Sequence, residues 1–287
     1  MRNKVKIENI KSEFEIQLEN FNFFKLDCDL EEYDKKEAYI LGFLGTLAGF
    51  SAIDILSNPQ LIKYTREGMQ AGFLKLKKNE DFSGIFPLLI ISEKISNFNS
   101  FEKLLEKKKM SYGEYDFDIL EFHIDSNDND LINKIFLCAK NELPNKSISI
   151  NLSRKFFSNA NIVELIKNAS TFFKNNLLIE VDGLSKKDNK NNEYNKTIQT
   201  ISTADIINKE LKFNEIKFRK IPIILSGGIN PKTIKLAFQC GVNANGISIN
   251  VKDLKLFKNY KIEFLNDDEK LKSLLGIINA YSLKIDN

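Results

Sequence analysis

Residues 221–250 read IPIILSGGINPKTIKLAFQCGVNANGISIN, and their pattern decides the architecture. An apolar, β-branched run, Ile221–Ser226, stops at Gly227 and Gly228. Asn230 then offers an N-cap and Pro231 a first helical position, and the helix runs to Cys240 before Gly241 ends it. A second run, Asn245–Asn250, follows. Strand, glycine turn, helix and strand make a βαβ unit, the repeating piece of a parallel sheet.

The same alternation extends back through the chain. Strand-type runs are predicted at Phe23–Cys28, Ala52–Leu56, Pro87–Ser92, Phe117–Ile124, Ser147–Leu152 and Leu177–Asp182. Helical patterns fall at Lys35–Gly49, Pro59–Glu67, Ser100–Met110, Asp130–Asn141, Ile162–Lys174 and Thr197–Leu211, with a last one at Glu269–Leu283. Eight strands alternating with eight helices predict an α/β protein, a single (β/α)8 TIM barrel, over 21–287, preceded by an N-terminal extension, 1–20. An open doubly wound sheet is the rival. It would carry a Gly-rich turn after its first strand, where this chain has Asp27-Cys28-Asp29-Leu30-Glu31-Glu32. Gly68–Gly84 reads as a polar loop. Ser185–Lys196 is a charged run at the functional rim, an insertion or a lid.

Composition narrows the function classes. The 287 residues are 43% hydrophobic, an ordinary globular fraction, with 42 basic and 39 acidic side chains. That balance gives no basic stripe for nucleic acid; the clusters at Lys75–Lys78 and Lys107–Lys109 sit beside acidic residues and read as solvated surface. Cys28, Cys138 and Cys240 are far apart, and His123 stands alone, so neither a Cys/His zinc site nor a disulfide framework is predicted. No stretch is long and apolar enough to span a bilayer, and the protein is expected to be soluble. The sequence is silent on oligomeric state and names no cofactor.

Alternation within strands points to chemistry. Side chains at i and i+2 share a face. Glu121, His123 and Asp125 therefore oppose Leu120, Phe122 and Ile124, while Glu180 and Asp182 oppose Ile179 and Val181. Ser147, Ser149, Asn151 and Ser153 share one face of the fifth strand. With the apolar face outward under the helices, the polar face lines the lumen, joined there by Lys25, Asp27 and Asp54. Buried carboxylates must be paired, protonated, metal-bound or wet. One reading is a self-satisfied internal lattice. The other is a catalytic acid/base set of Lys25, Asp54, Glu121, Glu180 and Asp182, or an oxygen-ligand metal site, although no metal ligand is assigned. At the strand tips, Ser226, Gly227, Gly228, Gly246 and Ser248 are the candidate phosphate-binding residues, because glycine lets backbone N–H groups approach an oxyanion. The alternative is that Gly227-Gly228 makes only a tight turn.

Four segments carry a family resemblance. Phe50-Ser-Ala-Ile-Asp-Ile-Leu-Ser-Asn-Pro59, Phe86-Pro-Leu-Leu-Ile-Ile-Ser92, Leu178-Ile-Glu-Val-Asp-Gly183 and Gly241-Val-Asn-Ala-Asn-Gly-Ile-Ser-Ile-Asn-Val251 resemble the plastid and cyanobacterial reading-frame family labelled ycf, number twenty-three. Ala244, Ser248 and Ile249 stand where that family has Gly, Gly and Ser. The resemblance implies an α/β barrel of unassigned activity and a location in the plastid stroma, which fits a composition rich in Asn, Lys, Ile and Phe; without it the cytoplasm is expected. The functional expectation is a barrel that binds or acts on a small phosphorylated metabolite at its C-terminal rim, with a non-enzymatic metabolite-binding or regulatory barrel as the alternative. A Schiff-base aldolase is disfavoured, since the sixth strand offers carboxylates and no lysine.

Overall fold

The computed structural model describes residues 23–28, 33–78, 85–95, 101, 117–125, 128–153, 156–173, 176–183, 193–213, 221–229, 233–239 and 244–250. Eight strands run in chain order around one closed barrel: β1 (Phe23–Asp27), β2 (Ala52–Leu56), β3 (Leu88–Ile95), β4 (Ile119–Ile124), β5 (Ser147–Ser153), β6 (Leu177–Asp182), β7 (Ile223–Ser226) and β8 (Gly246–Asn250). Every neighbouring pair is parallel, and β8 closes on β1 through five register pairs from Phe23↔Gly246 to Asp27↔Asn250. That closure excludes the open sheet. The fold is a single (β/α)8 TIM barrel.

Six helices are described: α1 (Lys35–Leu47), α2 (Pro59–Leu76), α3 (Asn129–Glu142), α4 (Asn159–Phe173), α5 (Glu193–Phe213) and α6 (Ile234–Gln239). Their starts are encoded locally. Asp34 and Glu37 form a reciprocal capping box at α1, with bonds of 2.8 and 2.9 Å. Asn58 caps α2 ahead of Pro59, and Asp128 caps α3 through the N–H groups of Asp130 and Leu131.

The stretch expected to loop from Gly68 is instead helical to Leu76. Its glycines are contact residues. A Cβ at Gly68 would run into the Tyr39 backbone oxygen, one at Gly42 into that of Thr65, and one at Gly72 would lie 2.8 Å from the Phe43 oxygen. Glycines on α1 and α2 thus let the two helices approach backbone to backbone. Glu193–Lys196, expected in the charged loop, form the first turn of α5. The extension 1–20, nearly all of the helix at Ser100–Met110, the Asn230 and Pro231 cap, Gly241 and the helix at Glu269–Leu283 lie outside the described residues.

Alternation sorts the strands into two faces. Leu26, Ile53, Ile55, Leu89, Ile91, Leu120, Phe122, Ile150 and Val181 point outward into one large core beneath the helices. The inward face is not polar throughout, as the alternation had suggested. Phe23, Ala52, Ile90, Ile119, Leu178 and Ile224 form a second apolar cluster at the start of the strands, a dry floor to the lumen. The polar row stands on that floor.

Candidate active site

Lys25 on β1 is the centre of the polar row. Its side chain is 1% exposed, and its Nζ donates to Glu121 Oε1 at 2.6 Å and to Glu180 Oε2 at 2.7 Å, with Asp54 Oδ2 at 3.5 Å. Three strands far apart in sequence meet at one nitrogen because the barrel is closed. Around them, Ser92 Oγ donates to Asp54 Oδ1 at 2.5 Å, Ser149 Oγ to Glu121 Oε2 at 2.7 Å, and Asn151 Nδ2 to Glu180 Oε1 at 3.1 Å. His123 Nε2 lies 3.0 Å from Glu121 Oε1, an ion pair when the imidazole is protonated. Its side chain is 19% exposed, the most of the titratable members of this group.

The environment separates the protonation states. Burial opposes the Lys25 ammonium, but Asp54, Glu121 and Glu180 outweigh it and hold its pKa well above the usual value. Burial also pushes the carboxyls up. In Glu121 this is overcome by Lys25 and His123 together, and its pKa falls below the ordinary carboxylate range. Glu180 has no imidazole beside it. Burial and the nearby Glu121 charge raise it to about 8 despite Lys25. Asp54 is raised by burial, against the pull of Lys25, and His123 is raised by Glu121 against its own burial. Opposite shifts on neighbouring carboxyls occur in acid/base pairs and in structural ion-pair networks alike.

The candidate phosphate residues occupy three different levels. Ser226, Gly227 and Gly228 lie at the C-terminal end of β7. Ser248 lies in mid-barrel, in register with Lys25, and its buried Oγ has no hydrogen-bond partner among the described residues. Gly246 pairs with Phe23 and Ile224 at the floor, where a Cβ would strike the Phe23 backbone oxygen. Gly246 is therefore a close-packing residue at the end opposite the rim, and its assignment to phosphate is corrected. The rim end of β8 is Asn250.

Gly227 and Gly228 have φ of 76° and 74°, the left-handed region where a Cβ is strained. The Gly227 carbonyl accepts from Thr200 Oγ1 at 2.7 Å, and the Gly228 carbonyl from Thr197 Oγ1 at 2.7 Å and Thr233 Oγ1 at 3.2 Å. In a trans peptide the following N–H points opposite to the carbonyl, so the Gly228 and Ile229 N–H groups face away from α5. Asp182 lies at this level too, accepting from Ser153 Oγ at 3.0 Å, with its Oδ1 where a Cβ on Gly227 would stand. It belongs to the rim, one inward position above Glu180. Gly183 and Gly228 also admit α5, since a Cβ on either would meet its backbone or Lys196.

Sequence reasoning placed most of these side chains on one face but passed over Ser92 and Cys28. Ser92 was the last residue of its predicted strand, and its parity with Ile90 was the available signal. The carboxylates of Asp27 and Asp54 and the thiol of Cys28, all buried, offer ligand atoms within 4.8 Å of one another. No helix among the described residues is long and apolar enough to cross a membrane.

No family model matches the chain, and no curated protein does. Solved structures do. A candidate deoxyribose-phosphate aldolase of Toxoplasma gondii ME49 in its apo form superposes with a TM-score of 0.57 at 12% identity, over 92% of this chain and 98% of that one. QR15, an aldolase, gives 0.51 at 14% identity over 79% of this chain and 88% of its own. The ribulose-1,5-bisphosphate carboxylase/oxygenase of Pyrococcus horikoshii OT3 gives 0.55 at 10% identity over 90% of this chain, which spans 62% of that longer protein. At these identities the likeness is one of fold.

Proposed function

We propose that the chain is a barrel enzyme acting by proton transfer on a small phosphorylated metabolite. The observation that carries this reading is the ammonium of Lys25 held between a depressed Glu121 and a raised Glu180, below a glycine turn whose N–H groups face away from α5. In it, Glu180 keeps a proton near neutrality and gives it up, Glu121 stays ionised, and His123 passes protons to the mouth. Lys25 and Asp54 set those states, and Asp182 orients the substrate at the rim. Gly228 and Ile229 N–H groups, with Ser226, take the phosphate about 7 Å above Glu180, two residues along a strand, which suits a few-carbon ester. The Toxoplasma protein and QR15 are named as aldolases, which supports small-molecule carbon chemistry. An imine mechanism is not assigned, because Lys25 is held as an ammonium and β6 presents Glu180 and Asp182 to the lumen.

A binding barrel without turnover is the second reading. It is favoured by the near-zero exposure of Asp54, Glu121 and Glu180, whose oxygens Lys25, Ser92, Ser149 and Asn151 already satisfy. The division into an extension, 1–20, and a barrel, 21–287, belongs to this proposal, as do the ycf-type relationship and a plastid stromal location rather than the cytoplasm. The test is a panel of phosphate esters followed by thermal unfolding. A ligand at 100 times its Kd stabilises by about 2.7 kcal/mol. Turnover of that ester, abolished in a folded Glu180→Gln variant, supports the enzyme; binding without turnover supports the second reading; no shift with any ester contradicts both.

A further inference from the structure

The outer side of α5 is as apolar as its inner side. Inward, Ile201, Ala204 and Ile207 are buried in the main core, and Thr197 and Thr200 hold the rim turn. Outward, Tyr194 is 53% exposed, Ile198 47% and Ile206 40%. Among the described residues, α2 and α3 each expose a single large apolar side chain, Leu74 and Leu137. A helix that is apolar on all sides is a buried helix, and the barrel covers α5 on one side only.

The exposed positions fit a second copy of the same helix, because they are symmetric about Ser202. Ile198 and Ile206 lie equally far to either side of it, as do Asn195 and Lys209, and Tyr194 and Glu210, and all six are exposed, as is Ser202. A two-fold axis through Ser202 therefore sets Ile198 of one copy on Ile206 of the other. The small Ser202 side chain at the crossing lets the helix axes close to about 8 Å. On the flanks, the Asn195 amide oxygen meets the Lys209 ammonium, and the Tyr194 hydroxyl meets the Glu210 carboxylate. Lys209 also pairs with Asp205 of its own helix, Nζ to Oδ2 at 2.6 Å, so no uncompensated cation faces the axis. An isologous contact needs this kind of self-complementarity. Other arrangements lose it. A parallel pair sets Lys209 against Lys209 and Glu210 against Glu210. Moving the axis one turn, to Ile198 or Ile206, pairs that isoleucine with itself and carries the other past the end of the facing helix.

We propose that α5 is a homodimer interface, in which two copies of the chain pack antiparallel about a two-fold axis at Ser202. One helix per subunit is a small interface, below the roughly 1,600 Å2 of a standard complex, so the dimer forms in the micromolar range. Because Thr197 and Thr200 bind the Gly228 and Gly227 carbonyls from the opposite side of α5, the contact also backs the rim turn.

Sedimentation of the full chain under reducing conditions, through the micromolar range, tests the association, and oxidation of Ser202→Cys tests the axis. The expected result is a mass that rises with concentration from one chain to two and no further. Ile198→Lys moves the midpoint to higher concentration by about tenfold or more, the scale of losing a buried isoleucine contact at each end. At the crossing the Cα atoms fall within the about 4.4–6.8 Å that a disulfide spans. Mild oxidation thus links Ser202→Cys into a covalent dimer where the wild type, with Cys28, Cys138 and Cys240 alone, gives none. A wild type that stays monomeric throughout, or assembles beyond two, overturns the proposal. So does a dimer that Ile198→Lys leaves unchanged, or one in which Ser202→Cys does not cross-link. Wild-type sedimentation and the exposed Ser202 position decide even if Ile198→Lys fails to fold. No ligand or turnover enters the readout, so this interface and the proposed acid/base function fail separately.

Discussion

Lys25 is the residue on which the barrel's interior depends. Removing one partner of a buried ion pair strands the other, at about 3–5 kcal/mol. Lys25→Met leaves Glu121, Glu180 and Asp54 facing one another without their ammonium, and urea unfolding at pH 8 should show a loss of that size; a loss under about 1 kcal/mol would mean that the carboxylates have other support. Glu180 sets a pH dependence with a definite sign. Its carboxyl titrates at about 8 when folded against 4.5 as its ordinary value. Between these, the folded state binds the extra proton, so stability falls as pH rises from about 4.5 to 8 and levels off above. His123, also raised, adds a decline of the same sign, whereas Glu121, lowered, withdraws stability only toward acid. Unfolding midpoints measured from pH 5 to 9 should slope downward in the wild type and less steeply in Glu180→Gln; equal slopes would remove Glu180 from the account. These polar neighbours were legible in the sequence as a shared face, because strand parity is a local property. Their distances were not, because Lys25 meets Glu121 and Glu180 across 96 and 155 residues of chain.

At the scale of elements, the strands were legible almost to their ends and the helices less so. Strand runs such as Ala52–Leu56 and Leu177–Asp182 are bounded by a change of composition that the eye can follow. The α2 helix was cut short at Gly68 because glycine lowers helix propensity, a penalty that its packing against α1 overrides. That inversion has a measurable consequence. Gly68→Ala improves intrinsic helix propensity by about 1 kcal/mol yet drives a Cβ into the Tyr39 backbone, and overpacking of this kind costs about 1–3 kcal/mol. The net outcome expected is destabilisation, visible as a lower thermal midpoint; a stabilised Gly68→Ala would show that α1 and α2 are not in backbone contact. On α5, Thr197 and Thr200 hold the carbonyls of Gly228 and Gly227, so the helix after β6 shapes the turn after β7. No reading of the 226–228 segment alone contains that support.

Across the whole molecule, alternation gives the face on which a side chain lies but not its height in the tube. Height depends on how strands stagger as the sheet closes, a property of all eight together. Gly246 shows the difference: it shares a sequence neighbourhood with a glycine turn at the rim, yet its register with Phe23 puts it at the floor. The same stagger separates the apolar bottom row from the Lys25 row and places Asp182 with the Gly227 turn rather than with Glu180. The central claim is that a closed barrel holds one ammonium between two carboxylates beneath an anion-binding turn. A crystal structure of the full chain soaked in inorganic phosphate tests it most directly. The expected result is eight strands closed between β8 and β1, Lys25 Nζ within about 3 Å of both Glu121 and Glu180, and phosphate on the Gly228 and Ile229 N–H groups. A free sheet edge, or carboxylates turned out to solvent with phosphate bound elsewhere, would contradict it.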